Sequence, residues 1–477
     1  MQFNLRCYDV CLPRSCSIKL HRSRCPCDTW GKKITLSSTG VLSMSRGRGV
    51  VPQAISRIFS TVARRPSAAS APRKDSGRKL LPDGPGLAYF VDFQPSARVG
   101  NSHPSAGSLR DSTARSVESM RQLAAELAAE HPALLYDSGR PLPNQQDMLR
   151  DSYGRHHNYL RISLTERCNL RCVYCMPEDG VDLQPQSKML STEEILRLGT
   201  MFVRAGVDKI RLTGGEPLIR NDLQDIVRAL SSMQGVRNVG ITTNAITLRR
   251  KLPGLKEAGL THINVSLDTL RPDRFAAITR RKGLDSVLSA VDVALAHGYG
   301  GRLKINCVVM RGVNADELPQ FLDLAREQEV DIRFIEWMPF DDNGWNDTKF
   351  VSYQEMMDVI REHYPDIERS TDSANDTTKW YRVPGHVGRV GFITSMSEHF
   401  CRTCNRLRIT SDGNLKVCLF GNENLSLRDA LRGGLSDLEL STLIKAAVMG
   451  KRAALGGHGD MYGIMNSKNR PMTTIGG

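Results

Sequence analysis

Apolar residues recur with two alternating periods between residues 159 and 338. Runs rich in β-branched residues, which favour strands, alternate with segments whose apolar residues recur every three or four positions, as on one helix face. The predicted strands cover 159–165, 209–213, 236–243, 262–268, 302–310 and 332–338. The predicted helices cover 191–205, 221–233, 248–258, 272–280 with 285–297, and 315–329. Six strand–helix repeats predict a parallel α/β sheet with right-handed crossovers, either open or curled into a barrel.

The residues suited to chemistry follow the predicted strands. In parallel α/β folds, ligands collect at the carboxyl ends of the strands. The chain has a cysteine triplet after the first strand, Thr213-Gly-Gly-Glu-Pro217 after the second, Thr242-Thr-Asn244 after the third, Ser266-Leu-Asp-Thr269 after the fourth, Lys304 and Asn306 in the fifth, and Glu336-Trp-Met338 after the sixth. This distribution predicts one site at that end of the sheet.

The first cysteine triplet comprises Cys168, Cys172 and Cys175, spaced CxxxCxxC. Three thiolates are an incomplete ligand set, because structural zinc and ordinary iron–sulfur clusters each take four protein ligands. An open coordination position indicates chemistry at the metal. The alternative is half of a zinc site that a distant residue completes.

A second triplet lies near the C-terminus, where Cys401 and Cys404 precede Cys418 by a thirteen-residue spacer. It again supplies three ligands. His399 could act as a fourth ligand and close a structural zinc site. The other interpretation is a second iron–sulfur cluster with one open iron.

Basic residues occupy the predicted strands, namely Arg161, Lys209, Arg211, Lys304 and Arg333, and two more follow the second CxxC pair as Arg406 and Arg408. A charged residue in a buried parallel strand is costly unless an anion or carboxylate meets it. Arg406 and Arg408 lie on one face if their segment is extended. Any one of these residues could form an ion pair, but together they favour a polyanionic substrate such as a nucleoside triphosphate.

The net charge of +14 comes mainly from the first 74 residues, which hold fourteen Lys and Arg against Asp9 and Asp28. The rest of the chain is nearly neutral, so bulk basicity does not predict a nucleic-acid partner. Residues 1–65 are Arg-rich and Ser-rich, which is typical of a mitochondrial transit peptide. A disordered basic arm, or a metal knuckle, remains an alternative. The knuckle would use the five N-terminal cysteines, Cys7, Cys11, Cys16, Cys25 and Cys27.

The remaining composition suggests four regions. After the transit peptide, residues 66–150 are a low-complexity linker with one amphipathic helix predicted over 116–136. Residues 151–365 carry the strand–helix repeats, and 366–477 carry the second triplet, beginning with an acidic loop over 366–378. No run of eighteen apolar residues occurs, so no membrane partner is expected.

The CxxxCxxC spacing, with Tyr174 before the last cysteine, resembles the signature of radical S-adenosylmethionine (SAM) enzymes. This resemblance implies an incomplete, TIM-like (β/α)6 barrel. It further implies that Cys168, Cys172 and Cys175 hold three irons of a [4Fe-4S] cluster and that SAM chelates the fourth. On the same resemblance the SAM site comprises Tyr174, Gly214, Gly215, Glu216, Ser266 and Met338. Taken alone, the GGEP segment is an ordinary turn.

Further motifs resemble the GTP 3′,8-cyclase family of molybdenum cofactor biosynthesis. They are Leu160-Arg-Ile-Ser-Leu-Thr-Glu-Arg-Cys168, Lys209-Ile-Arg-Leu-Thr-Gly-Gly-Glu-Pro217, Ile332-Arg-Phe-Ile-Glu-Trp-Met338, Phe400-Cys-Arg-Thr-Cys-Asn-Arg-Leu-Arg408 with Cys418, and the terminal Gly476-Gly477. The resemblance implies that Cys401, Cys404 and Cys418 hold a second [4Fe-4S] cluster whose open iron contacts guanine. It assigns GTP binding to Arg161, Lys209, Arg211, Thr242, Lys304, Arg333, Arg406 and Arg408, and places the Gly-Gly tail in the active site.

The implied reaction is a lyase reaction that converts GTP to (8S)-3′,8-cyclo-7,8-dihydroguanosine 5′-triphosphate. The implied partners are an electron donor and cyclic pyranopterin monophosphate synthase as the next enzyme, in the mitochondrial matrix; a homodimer is left open. Two rivals remain: a peptide-modifying radical SAM enzyme, and a noncatalytic zinc protein that binds nucleic acid.

Overall fold

The computed structural model describes residues 106–130, 145–341, 343–372, 375–421 and 425–476. The predicted transit peptide with its five cysteines, most of the predicted linker, and Gly477 lie outside the described residues. Among the helices of the described ranges, none is both long and apolar enough to cross a membrane.

Six parallel strands form the centre of the fold, in the order in which they occur along the chain. They are β1 (Tyr159–Ser163), β2 (Lys209–Thr213), β3 (Asn238–Thr243), β4 (His262–Ser266), β5 (Leu303–Val309) and β6 (Asp331–Glu336). Every neighbouring pair is parallel. The sheet continues beyond β1 and β6 instead of joining them, so the predicted incomplete (β/α)6 barrel is confirmed.

Helices follow the strands in the predicted alternation. They are α2 (Thr192–Arg204), α3 (Leu223–Ser231), α4 (Leu248–Glu257), α5 (Pro272–Thr279), α6 (Leu284–Ala296), α7 (Leu318–Glu327) and α8 (Tyr353–His363), after α1 (Ala106–Glu130). The helix predicted over 315–329 begins as a 3-10 turn at Ala315–Glu317. The apolar faces of the helices that follow the strands pack on the sheet and form one continuous core.

The C-terminal region extends the same sheet at both ends. Its strands are β7 (Glu368–Arg369), β8 (Lys379–Arg382), β9 (Val390–Ile393), β10 (Arg406–Ile409), β11 (Asn414–Lys416) and β12 (Leu425–Ser426). β9 pairs in parallel with β6, and β10 pairs in parallel with β1. The second triplet is thereby brought to the edge of the barrel next to β1. The segment 366–378, predicted as a loop, contains the short strand β7.

Four helices complete the chain: α9 (Leu427–Arg432), α10 (Asp437–Met449), α11 (Met461–Met465) and α12 (Met472–Ile475). The first helix, α1, packs against α9 and α10. Its buried apolar side chains are Val117, Met120, Leu123, Ala124 and Leu127. The helix therefore docks on the folded body, which the sequence could not decide.

Two details explain how α1 fits. A Cβ atom at Gly433 would lie 2.3 Å from the Val117 side chain, so this glycine makes room for the helix. Arg121 donates to the carbonyl of Gly433 at 3.3 Å and lies 3.4 Å from Glu439. The side chain of Arg121 is exposed, so that ion pair contributes little and apolar contact dominates the docking.

Replacing Leu123 by alanine is expected to loosen α1. Leu123 is 5% exposed, and such substitutions cost about 2–5 kcal/mol. Hydrogen exchange should show faster exchange of the α1 amides. Gln122→Ala, which changes the exposed neighbour, is the control. Equal exchange in both variants would contradict apolar docking.

Candidate active site

A cavity of about 600 Å³ lies inside the partial barrel. It is lined by all eight residues predicted to bind a nucleotide: Arg161, Lys209, Arg211, Thr242, Lys304, Arg333, Arg406 and Arg408. Met338 and Gly476, from two other predicted groups, line it as well. Residues as distant in the sequence as Arg161 and Gly476 are thus gathered in one space.

Strand register explains why the arginines meet. Arg161 is the Cα partner of Arg408 on one side and of Arg211 on the other. Neighbouring strands in register present paired residues on the same face. Three guanidinium groups therefore lie side by side on the inner surface of β10, β1 and β2.

The cavity has a large excess of positive charge. Among the described residues, eight Lys and Arg side chains and two aspartates, Asp208 and Asp376, line it. Burial lowers the pKa of Arg161 and of Arg333 to about 10, and it lowers the pKa of Arg408. Arg161 and Arg333 therefore remain charged near pH 7, at a desolvation cost that an anionic ligand would offset.

Tyr159 lies among these cations. Its hydroxyl accepts a hydrogen bond from Nε of Arg211 at 3.3 Å, and the ammonium of Lys209 lies 4.6 Å from its ring centre. Burial alone would raise the pKa of Tyr159, but Arg211, Arg161 and Lys209 lower it to about 6. Tyr159 was not among the residues predicted from sequence, although it stands two residues before Arg161 and so points to the same face of β1.

Lys304 and Arg389 share a carboxylate partner at the cavity wall. The ammonium of Lys304 lies 2.6 Å from Asp331, which also pairs with Arg389 at 2.7 Å. Both cations lie over the ring of Trp380. Lys304 therefore forms the ion pair that the sequence left open as an alternative. Arg389, which was not predicted from sequence, pairs with the same carboxylate.

Several buried polar atoms at the cavity lack a partner. Nε of Arg408, Oγ1 of Thr242 and Oδ1 of Asn264 have no hydrogen-bond partner among the described residues. Leaving such atoms unpaired costs about 1–3 kcal/mol each. Arg408, Thr242 and Asn264 all line the cavity, so its wall is polar as well as basic. Asn264 was not predicted from sequence, although it is in register with Thr242.

The first cysteine triplet lies in the loop after β1. The loop is held by hydrogen bonds from the backbone of Arg171 to Thr279 and of Val173 to Ile278, both 2.9 Å. Burial raises the pKa of Cys168 and Cys172, and it raises the pKa of Cys175 to about 12, with neighbouring negative groups adding to the effect. Three thiols gathered by a fixed loop form a donor set that suits a cluster, because bound metal deprotonates its thiol ligands.

Gly214 and Gly215 are required by the backbone beneath this loop. A Cβ at Gly215 would lie 2.3 Å from the carbonyl oxygen of Arg167, and one at Gly214 would lie 2.6 Å from that of Thr165. Gly214 also has a positive φ of 144°. The two glycines therefore let the loop after β2 pack closely against residues 165–167, where the first cysteine loop begins.

Glu216 ties the same loop to the next strand. Its carboxylate accepts hydrogen bonds from the amides of Leu218 and Asn244 and from the hydroxyl of Thr243, at 2.7–2.9 Å. Burial raises the pKa of Glu216 to about 7. The side chain thus holds the second and third strand ends together, beside the predicted SAM pocket.

Tyr174 belongs to the cysteine loop itself, and Ser266 lies at the end of β4. The hydroxyl of Tyr174 donates to Asp268 at 2.6 Å, and Asp268 also accepts from the amide of Val308. Ser266 ends β4, in register with Asn306. Tyr174 packs in an apolar cluster with Trp337 and Trp345 that also touches Cys172 and Cys175. Of the predicted SAM residues, Tyr174 therefore lies against the first triplet, whereas Met338 packs on a separate apolar cluster that Cys401 and Cys418 also touch.

The second triplet lies where β10 begins. Cys401 begins a 3-10 turn, Cys401–Thr403, Cys404 follows that turn, and Cys418 follows β11. Burial alone would raise the pKa of Cys404, but Lys451 and Arg406 lower it to about 6. Cationic donors next to a thiolate fit a metal ligand.

Neither triplet forms a closed site for one ion. Among the described residues, no group of three or more His, Cys, Asp or Glu side chains is arranged to hold a single metal ion. The cysteine ligands of an iron–sulfur cluster bind different iron atoms, so the two predicted clusters stay predictions.

The C-terminal tail enters the cavity. The amide of Ser411 donates to the carbonyl of Thr474 at 3.2 Å, and Ile475 is 1% exposed. Gly476 has a φ of 79°, and a Cβ there would lie 2.1 Å from Oγ1 of Thr213. The tail therefore lies directly on the second strand's end, next to Gly214.

Two family profiles match adjoining parts of the chain. That of the Radical SAM superfamily matches residues 162–325, and that of Molybdenum Cofactor Synthesis C matches residues 330–456. Together they span the strands and both triplets.

Three relatives are similar over most of the described region. The chain is 58% identical to molybdenum cofactor biosynthesis protein 1 of Bos taurus over 327 residues, which are 69% of this chain and 51% of that protein. It is 54% identical to the mitochondrial GTP 3′,8-cyclase of Arabidopsis thaliana, over 69% of this chain and 84% of that protein. It is 43% identical to GTP 3′,8-cyclase of Pelotomaculum thermopropionicum, over 63% of this chain and 93% of that protein. The chain thus spans about half the length of the animal relative.

Proposed function

Because the chain belongs to the GTP 3′,8-cyclase family of radical SAM enzymes, we propose that it cyclises GTP in the first step of molybdenum cofactor biosynthesis. The observation that carries the proposal is the cavity, which eight Lys and Arg side chains line. A nucleoside triphosphate supplies the negative charge and the hydrogen-bonding groups that this lining lacks.

Radical SAM family membership implies a [4Fe-4S] cluster and SAM. Cys168, Cys172 and Cys175 would hold this cluster, and the residues around Tyr174 and Glu216 would hold SAM. When bound and reduced, the pair would supply the radical chemistry that starts the cyclisation. Cys401, Cys404 and Cys418 would hold a second [4Fe-4S] cluster.

The chain's own residues position the substrate. Arg161, Arg211 and Arg408 receive the triphosphate side by side, as forked donors suit phosphate. Thr242 and Asn264 complete the polar wall, and the tail at Gly476 closes the cavity near the first triplet. Positioning and exclusion of water are the protein's share of catalysis.

The cellular setting follows from the same proposal. The Arabidopsis thaliana relative is named a mitochondrial protein, and the basic N-terminal region directs this chain to the mitochondrial matrix. The reaction consumes electrons, so an electron donor is required. Its product passes to cyclic pyranopterin monophosphate synthase, and assembly as a homodimer remains a prediction.

The test is anaerobic reconstitution of the full chain, with iron and sulfide measured before incubation with SAM, reductant and GTP. We expect two clusters, SAM cleavage and loss of GTP. Bound zinc without sulfide would contradict the enzymatic function and favour the noncatalytic zinc protein. SAM cleavage with GTP unchanged would favour a peptide-modifying enzyme instead.

Replacing Arg408 by methionine is expected to weaken GTP binding at least tenfold, because a charge-assisted hydrogen bond contributes about 1.5–3 kcal/mol. Equilibrium dialysis with GTP and with inorganic triphosphate measures the loss. Arg402→Met is the control, since Arg402 is exposed and does not line the cavity. Equal affinities in both variants would rule out phosphate binding by Arg408.

A further inference from the structure

Lys451 and His157 form a buried pair beside the second triplet. Lys451 is 3% exposed and His157 is fully buried. Lys451 follows α10, whereas His157 precedes β1, so the pair joins distant parts of the chain. Neither residue lines the cavity, and the proposed reaction has given neither a role.

All three donors of the Lys451 ammonium find an acceptor. Nζ lies 2.9 Å from Nε2 of His157, 3.1 Å from the carbonyl oxygen of Arg406 and 3.5 Å from Sγ of Cys404. Nδ1 of His157 lies 2.8 Å from the carbonyl oxygen of Leu149 and therefore carries the proton. Nε2 is then left as an acceptor, which fixes the direction of the ammonium.

The charge of Lys451 needs a counter-charge at this depth. A buried ammonium is costly unless an anion meets it. Of its three acceptors, two are neutral, and only the sulfur of Cys404 can become anionic. The second acceptor, the Arg406 carbonyl, belongs to a residue of the cavity wall.

The segment before β1 supports the same cysteines from a second direction. Arg155 donates to the carbonyl of Cys401 at 2.8 Å and is held by Asp151 at 2.6 Å. His157 belongs to this segment. The 151–157 segment and Lys451 therefore brace the two neighbouring cysteines together.

We propose that Lys451, oriented by His157, is a positioning residue for the second cluster, which it serves by donating a hydrogen bond to the Cys404 sulfur. This inference rests on the proposed function, since it requires that cluster. Hydrogen bonds and positive charge at a ligand sulfur stabilise the reduced cluster, so Lys451 raises its reduction potential. Through the Arg406 carbonyl, Lys451 also links Cys404 to a residue of the cavity wall.

The test uses the reconstituted full chain with Lys451→Met. The Cys172→Ala substitution is added so that the second cluster is the one cluster expected to remain. A redox titration followed by electron paramagnetic resonance measures its midpoint potential, and chelator challenge measures iron retention. We expect a more negative potential and faster loss of iron. Lys445→Met is the matched control, because the Lys445 ammonium donates to the Arg150 carbonyl at 3.3 Å and forms no hydrogen bond to sulfur within the described part of the chain.

A second variant tests whether the effect of Lys451→Met comes from misfolding. Lys451→Met leaves Nε2 of His157 without a donor, whereas the double variant His157→Phe/Lys451→Met removes both members of the pair and so leaves no unpaired imidazole nitrogen. An unchanged potential and unchanged iron retention in either folded variant would overturn the proposal. Wild-type protein with only about four irons would instead show that the second cluster of the proposed function is absent, and this inference would fail with it. The two failures are therefore distinguished by the iron content of the wild-type protein.

Discussion

Replacing Cys172 by alanine is expected to abolish SAM cleavage and to halve the iron content of the reconstituted protein. The first triplet supplies three ligands, and a cluster with two cannot be held in the position that binds SAM. The second triplet lies at the start of β10 and after β11, so its cluster should remain. Iron and sulfide assays and chromatographic detection of 5′-deoxyadenosine measure the outcome.

Cys307→Ala provides a matched control for this variant. Cys307 is 1% exposed, and its sulfur lies 3.6 Å from the carbonyl of Asp268, outside both triplets. Its loss removes a thiol that is more deeply buried than that of Cys172, without removing a predicted ligand. SAM cleavage that survives in Cys172→Ala, or that disappears equally in Cys307→Ala, would remove the first triplet from the reaction.

The cavity could be predicted from sequence because strand alternation is a local property. Arg161, Arg406 and Arg408 each occupy an inward position of a strand, and Lys209 and Arg211 do the same on β2. A cation in a strand buried on both sides is rare enough to indicate a site. The same alternation places Tyr159 and Asn264 at inward positions. They were not predicted because they carry no charge that would indicate a site.

The partners of these cations could not be predicted, because they depend on contacts between distant segments. Asp331 pairs with Arg389 across 58 residues, and no local pattern indicates that pair. The placement of β9 and β10 at opposite ends of the barrel depends in the same way on long-range pairing. Each segment alone predicts only a short strand.

The glycines after β2 show a different limit. Sequence alone indicates that backbone approaches something at Gly214 and Gly215 but does not identify it. The structure places the carbonyls of Thr165 and Arg167 there. The motif thus joins the loop of the first triplet to the loop predicted to receive SAM, and a ligand contact would come in addition to this packing.

Gly476→Ala is expected to reduce GTP turnover at least tenfold while both clusters are retained. A Cβ at Gly476 would lie 2.1 Å from Oγ1 of Thr213, and the residue has a φ of 79° that alanine rarely adopts. The tail would therefore leave its place beside Gly214. Removing Gly476 and Gly477 together should abolish cyclisation for the same reason. Iron content, SAM cleavage and GTP consumption are measured separately.

Gly434→Ala separates backbone strain from collision, because Gly434 has a φ of 74° but no atom of the described residues lies within 4 Å of the point that a Cβ would occupy. Its alanine variant carries a similar conformational cost at a site outside the cavity, so turnover should stay near that of the wild type. Adding Thr213→Ala to Gly476→Ala removes the atom that collides and should restore part of the activity. If Gly434→Ala loses as much turnover as Gly476→Ala, or if full activity persists without the last two glycines, the tail has no part in the reaction.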